Sequence, residues 1–331
     1  MSNKVLIIGG CGFIGHNLAI YLKNKKFNVT VTDSLSVNNY FSHKKTDDPN
    51  KKFNLSVLKA RQSLLKKNKI NLIINDARNY KPTTKIINSL KPNYLIHLAA
   101  VAHANVSNKD PYSTFDHSMR TLENTLDACR SLSYLKRYIY LSSSMVYGQF
   151  KKKTLNEKDI CDPLGIYASL KFGAEKLIVG YNQVFNIPYT IVRPSALYGE
   201  RCVSGRVIQK FIEAAIKKRP LEIVGNGEEN LDFTYIDDLV AGIHLAMTSK
   251  KGINQTFNLT YGKSRSLLEL LNIIKKTIPD IKTKFIKRDK LMPFRGTLSV
   301  NKAKKLIGYK PKFNIEKGVP KLIKWYENSK F

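Results

Sequence analysis

The sequence predicts an α/β fold: a doubly wound parallel sheet with helices on both faces. Three observations carry that expectation. Short β-branched runs alternate with helical patterns across residues 5–192, and a glycine-rich turn joins the first run to the first helix. Hydrophobic residues make up 43% of the 331, enough for a sheet buried on both faces.

The elements follow in order. Val5–Ile8 is the first strand, and helical spacing then runs to Leu22. Asn28–Thr32 is the second strand, ending at Asp33. Residues 34–69 form a long, polar, basic connection with one helix around Leu55–Leu65. That connection either closes over a ligand or decorates the surface, and the second reading is preferred. Leu72–Ile74 and Tyr94–Leu98 are the third and fourth strands, residues 112–131 are helical, and Arg137–Leu141 is the fifth strand. A helix over Tyr167–Tyr181 and a sixth strand over Tyr189–Val192 complete the alternation.

Composition narrows the classes. Lys and Arg number 56 against 25 Asp and Glu, a net charge of +31, a balance that suggests nucleic acid or an anionic membrane surface. The lysine pairs are dispersed from 25–26 to 304–305, however, whereas a nucleic-acid reader concentrates its charge on one face. A solvated surface is expected, with no nucleic-acid partner. No apolar run approaches the roughly 18 residues of a membrane span, and the N-terminus lacks a signal-peptide pattern. Cys11, Cys129, Cys161 and Cys202 are far apart. That spacing argues against a metal centre or a disulfide framework and fits a reducing cytoplasm.

Gly9, Gly12 and Gly15 stand between the first strand and the first helix. Glycines suit a tight turn and a backbone that must approach a pyrophosphate, which the helix N-terminus then meets with free N–H groups. Asp33 follows eighteen residues after Gly15. A carboxylate there accepts hydrogen bonds from adenosine ribose hydroxyls and repels a 2′-phosphate. Ser34 and Leu35 come next, with no Arg to hold that phosphate, so NAD is expected over NADP. The bland alternative is that Asp33 only caps a turn.

Tyr167 and Lys171 are spaced i, i+4 and share a helix face. A phenol is a poor base at neutral pH unless nearby positive charge stabilises its phenolate. Such a Tyr could then take a hydroxyl proton. Ser142, Ser143 and Ser144 follow the fifth strand, at the sheet edge where parallel folds hold ligands. One of them could hydrogen-bond a reacting sugar oxygen while the others cap the turn.

Together these residues resemble the NAD-dependent sugar-nucleotide epimerase/dehydratase family of extended short-chain dehydrogenase/reductases. The resemblance covers nearly the whole chain: the glycine loop, Asp33, Asp76-Ala77-Arg78, His97-Leu98-Ala99-Ala100, Ser142–Gly148, Tyr167/Lys171, Arg193-Pro194 and Leu197-Tyr198-Gly199. It continues through Asp232–Leu239 and from Lys302-Ala303 to Pro311. It implies a Rossmann sheet with a smaller C-terminal α/β substrate-binding region. The NAD-binding part would span 1–192, with 230–250 returning to it, and a discontinuous capping part 193–331. It implies Ser143, Tyr167 and Lys171 as catalytic residues. Gly9, Gly12, Phe13, Ile14, Gly15, Asp33, Asp76, Ala77, Ala99, Ala100 and Pro194 would contact NAD, together with Tyr167 and Lys171. The substrate would be a nucleotide-diphosphate sugar, and the assembly a homodimer through helices 112–131 and 167–181.

Departures from the family sharpen the expectation. The acidic pair that dehydratases carry after the catalytic Ser/Thr is here Ser144 and Met145, so elimination of water lacks its acid and base. The family's Asn beside the diphosphate falls at Ala196, and the Arg before the late Asp-Phe pair at Leu231. Ser118 and Thr121 stand in an altered Asn-x-x-Gly-Thr motif. Arg201, Arg206, Arg265 and Arg295 are candidates to hold the diphosphate, Arg295 first, with Ser143 and Ser144 at the sugar. The expected activity is 4-epimerisation through transient C4 oxidation to a 4-keto sugar. Reduction of a 4-keto sugar or decarboxylation of a uronic acid are the alternatives, and a non-catalytic NAD or polyanion binder a more distant one.

Overall fold

Seven strands build the central sheet: β1 (Lys4–Ile8), β2 (Asn28–Asp33), β3 (Asn71–Ile74), β4 (Tyr94–His97), β5 (Arg137–Leu141), β6 (Tyr189–Arg193) and β7 (Gln255–Asn258). They come from a computed structural model that describes residues 3–37, 39–289, 292–329 and 331. The order is β3-β2-β1-β4-β5-β6-β7, and every neighbouring pair is parallel. The winding reverses between β1 and β4, which opens a crevice beyond their carboxyl ends, where such sheets hold ligands.

Side chains along a strand point alternately to the two faces, and both faces are packed here. Val5, Ile7, Ile96 and Ile139 belong to one core cluster. Leu6, Ile8, Leu95 and Tyr138 belong to another. This is why the strands read as continuous apolar runs.

The six expected strands are present within a residue or two of their predicted ends. The seventh, β7, carries one large apolar residue, Phe257, and lies at the sheet edge, too weak a pattern to stand out. The helix expected over 112–131 is broken into Pro111–Phe115, a π-turn over Asp116–Arg120 and Thr121–Asp127. The helix bearing Tyr167 and Lys171 is longer than expected, Gly165–Phe185.

The 34–69 connection corrects the preferred reading. It folds into helices Tyr40–Lys44 and Lys51–Lys67, and the second buries Val57, Leu58, Arg61 and Leu65. It is a layer packed on the helix Phe13–Asn24 and β3, and its Arg61 walls the crevice, so it is not surface decoration. Beyond β6, a parallel pair joins Leu221–Val224 to Thr283–Ile286, flanked by helices Val207–Ile216 and Leu267–Lys275. The helix Ile236–Thr248 packs back against the helix Phe13–Asn24. Buried Asp232 joins three segments, accepting from the Thr260 hydroxyl and the backbone N–H groups of Gly262 and Leu298. Among the described residues, no helix is long and apolar enough to cross a membrane.

Candidate active site

The crevice holds two adjoining lobes. The first is walled by the glycine turn, Asp33, Asp76, Ala77, Ala99 and Ala100, together with Arg61 from the 34–69 connection. The second is walled by Ser142–Met145, Tyr167, Lys171, Pro194, Arg206 and Arg295. Ile14, Leu98, Ala100, His103, Leu197 and Arg206 border both, so the lobes meet there.

In the first lobe, Asp33 accepts the Cys11 N–H at 2.8 Å and the Leu35 N–H at 2.7 Å. Its Oδ1 also accepts from Asn39 Nδ2 at 3.4 Å, and Oδ2 keeps a second lone pair to offer a ligand. Burial raises its pKa, opposed by those N–H groups and by Arg61. Asp76 is bound by the Arg78 guanidinium at 2.7 Å, which fixes its orientation. Arg61 is 1% exposed; its donors reach the carbonyls of Arg201, at 3.1 and 2.5 Å, and of Cys11, at 3.4 Å.

In the second lobe, the i, i+4 spacing brings Tyr167 and Lys171 to one wall. Lys171 Nζ donates to the Leu141 carbonyl at 2.6 Å, and burial pushes its pKa down to about 8, with Glu175 opposing. Burial pushes the Tyr167 phenol up, while Arg206 and a hydrogen bond with Ser143 pull it down. The cation that pulls the phenol down is thus Arg206, in place of the Lys171 expected from the spacing. Ser143 Oγ also accepts the Met145 N–H at 3.1 Å, capping the turn Ser144–Tyr147 and leaving its own hydrogen to donate. Ser142 is turned away from the lobe's chemistry: its hydroxyl donates to Glu175 at 2.5 Å.

The Epimerase family model, described as the NAD dependent epimerase/dehydratase family, matches residues 5–260. The chain belongs to this family. An uncharacterized UDP-glucose epimerase, YtcB, of Bacillus subtilis (strain 168) is 30% identical over 326 residues, 96% of this chain and 95% of its own length. UDP-glucuronate 4-epimerase 1 of Arabidopsis thaliana is 27% identical over 344 residues, 98% of this chain and 76% of its own. The crystal structure of UDP-glucuronic acid 4-epimerase from Bacillus cereus with UDP-glucuronic acid and NAD has a TM-score of 0.87 at 26% identity, covering 98% of this chain and 99% of that one.

The first lobe fits the dinucleotide on which this NAD-dependent family relies. Gly9 has φ +83°, and a Cβ there would lie 2.9 Å from the Ala99 nitrogen. A Cβ on Gly15 would lie 2.6 Å from the Gly9 carbonyl oxygen and from Gly10 Cα. Side chains here would collide with the protein's own backbone, so these glycines are what lets the turn close tightly at the N-terminus of the helix Phe13–Asn24, where free N–H groups can meet a pyrophosphate.

Two arginines are not brought to the substrate lobe. Arg201 turns to the helix Phe13–Asn24, donating to His16 Nε2 and Asn17 Oδ1, each at 3.1 Å. Arg265 pairs with Glu269 at 3.1 Å and Glu316 at 2.5 Å on the surface. Both had nearer partners than a ligand. Arg295 does reach the lobe, with Glu229 at 3.9 Å and Met145 Sδ at 3.9 Å from its guanidinium. Leu231, where the family has an Arg, is buried in the core. Ala196, where it has an Asn, lines the lobe with φ +37°, a left-handed conformation that Asn adopts more easily than Ala.

Sequence reasoning missed three residues. Glu175 continues the Tyr167/Lys171 spacing by four more residues, a signal that was present. Arg61 occupies the apolar face shared by Val57, Leu58 and Leu65, an anomaly that marks a buried charge. It also puts an Arg in the lobe of Asp33, where none was expected, although backbone carbonyls engage it. His103, bordering both lobes with its Nδ1 buried and unbonded, carried no signal.

Proposed function

We propose that the chain is an NAD-dependent UDP-sugar 4-epimerase. The observation that carries this reading is the common wall of Ser143, Tyr167 and Lys171 in the second lobe, which adjoins the dinucleotide lobe. The similarity to UDP-glucuronate 4-epimerases supports the choice of reaction and of nucleotide. NAD, when bound, supplies the acceptor and donor of hydride.

Tyr167 takes the proton of the sugar C4 hydroxyl and returns it after the 4-keto sugar has turned over in the lobe. Burial keeps the phenol protonated at rest, and the positive charge of Arg206 and the Ser143 hydroxyl favour the phenolate at the moment of transfer. Ser143 donates to the sugar oxygen. Lys171, anchored on the Leu141 carbonyl, adds a fixed positive charge beside the phenol. Arg206 and Arg295, whose guanidinium forks match phosphate oxygens, hold the substrate's anionic groups, and Ser144 lines the sugar end. Gly9, Gly12, Phe13, Ile14, Gly15, Asp33, Asp76, Ala77, Ala99, Ala100 and Pro194 form the dinucleotide's bed. Ser144 and Met145 offer no acid or base for dehydration.

The same reading divides the chain into an NAD-binding part, 1–192 with 230–250, and a capping part made from the rest. It pairs two copies through the helices that expose Tyr112, Phe115, Val184 and Phe185.

The test is Tyr167→Phe, assayed by NMR for interconversion of UDP-glucuronate and UDP-glucose with their C4 epimers. Turnover is expected to fall at least ~100-fold with NAD still bound. Full activity in that variant would remove Tyr167 as the base, and net consumption of NADH with substrate would point to a reductase instead.

A further inference from the structure

We propose that Glu175, through its buried pair with Arg193, is a positioning residue that keeps Lys171 charged and in place. This deepens the reading above and rests on its role for Lys171.

The geometry joins three elements at the site. Glu175 is 4% exposed. Its Oε1 accepts from Ser142 Oγ at 2.5 Å and Arg193 Nε at 2.9 Å, and its Oε2 from Arg193 Nη2 at 2.6 Å. Ser142 directly follows Leu141, the last residue of β5, whose carbonyl holds Lys171, and Arg193 ends β6. One carboxylate therefore locks the helix of Tyr167 and Lys171 to the two strand ends that carry Ser143 and Pro194.

The charges point the same way. Lys171 faces Tyr140 on β5, its ammonium 4.7 Å from the ring centroid, and His97 on β4, which burial holds neutral. Tyr167 and Glu175 share its helix. Glu175 is the acid that opposes the loss of the Lys171 proton, and Arg193 stands behind it. Arg193 Nη1 has no hydrogen-bond partner, and its guanidinium lies 4.8 Å from the Tyr147 ring centroid. Burying such a pair costs desolvation that hydrophobic replacements would avoid, so its stabilising value alone does not explain it.

The pair makes an unusual prediction, because removing either partner breaks the same bonds but leaves opposite charges. In the NAD-loaded full-length protein, the Lys171 titration is read by NMR of isotope-labelled lysine, assigned with Lys171→Arg. The alkaline limb of kcat for epimerisation is read in parallel. Glu175→Gln is expected to move both down by roughly one pH unit, and Arg193→Gln to move both up. Glu175→Asp, which keeps the charge, is expected to restore most of the shift. Should Glu175→Gln fail to fold, the upward shift in Arg193→Gln still decides. Shifts of the same sign, or an unmoved Lys171 in either folded variant, would overturn the proposal. If the titrations move as expected but no nucleotide sugar is turned over, the proposal stands and the reading of the activity fails.

Discussion

Arg61 offers the most direct test of how the 34–69 connection serves the site. Its guanidinium makes two bonds to the Arg201 carbonyl and a longer one to Cys11, and burial lowers its pKa to about 10. Arg61→Met keeps the length and removes the donors. A charge-assisted hydrogen bond contributes about 1.5–3 kcal/mol. Removing an expensive buried charge offsets part of that loss, which leaves a net destabilisation of about 2 kcal/mol. For 331 residues the unfolding entropy is about 0.7 kcal/mol per degree, so Tm should fall by about 3 °C. The functional effect should be larger. Arg201 has φ +65° and belongs to the segment leading to Arg206, so freeing its carbonyl loosens the wall shared by both lobes. The KM for the nucleotide sugar should rise about tenfold, equivalent to ~1.4 kcal/mol, with NAD still bound. Calorimetry and steady-state kinetics on the same preparation separate the two effects. Unchanged Tm and KM would refute the reasoning, and so would a lost fold.

Three further perturbations follow from the same geometry. Gly15→Ala places a Cβ 2.6 Å from two backbone atoms of the turn, so NAD affinity measured by titration should drop at least ~10-fold; unaltered affinity would remove the turn as the pyrophosphate bed. Ala196→Asn should stabilise by about 0.5 kcal/mol, because Asn tolerates the left-handed backbone, and should lower the KM by adding an amide to the lobe. A destabilised variant with a raised KM would contradict both. His97 is held at a pKa of about 3, chiefly by burial, below the unfolded value of about 6.5. Its contribution to stability is therefore present above pH 6.5 and is lost as pH falls towards 3, by up to about 1.4 kcal/mol per pH unit. His97→Asn should flatten the dependence of the denaturation midpoint between pH 6.5 and 5 by one proton, and an unchanged slope would refute it.

Much of the site was legible because its chemistry is local. A turn that must close tightly at a helix N-terminus shows as Gly9 and Gly15. The proposed base and the cation that must share its helix face show as Tyr167 and Lys171. The residues that act at long range left weaker marks. Arg201 and Arg265 looked as suitable for a diphosphate as Arg206, because a cation's use depends on which partners the fold brings nearest. His16, Asn17, Glu269 and Glu316 are those partners, and none is implied by spacing.

The chain by itself therefore determined the alternating α/β order, the glycine cradle, the Ser-Tyr-Lys set and the family, all written in periods of two to four residues. Tertiary structure alone decided that the 34–69 connection walls the dinucleotide lobe. It also decided that Glu175 joins β5, β6 and the Tyr167 helix, and which arginines face the substrate lobe. The physical reason is range. Backbone periodicity and turn chemistry act between neighbours in sequence, whereas burial and ion pairing act between segments that only the folded sheet brings within a few ångströms.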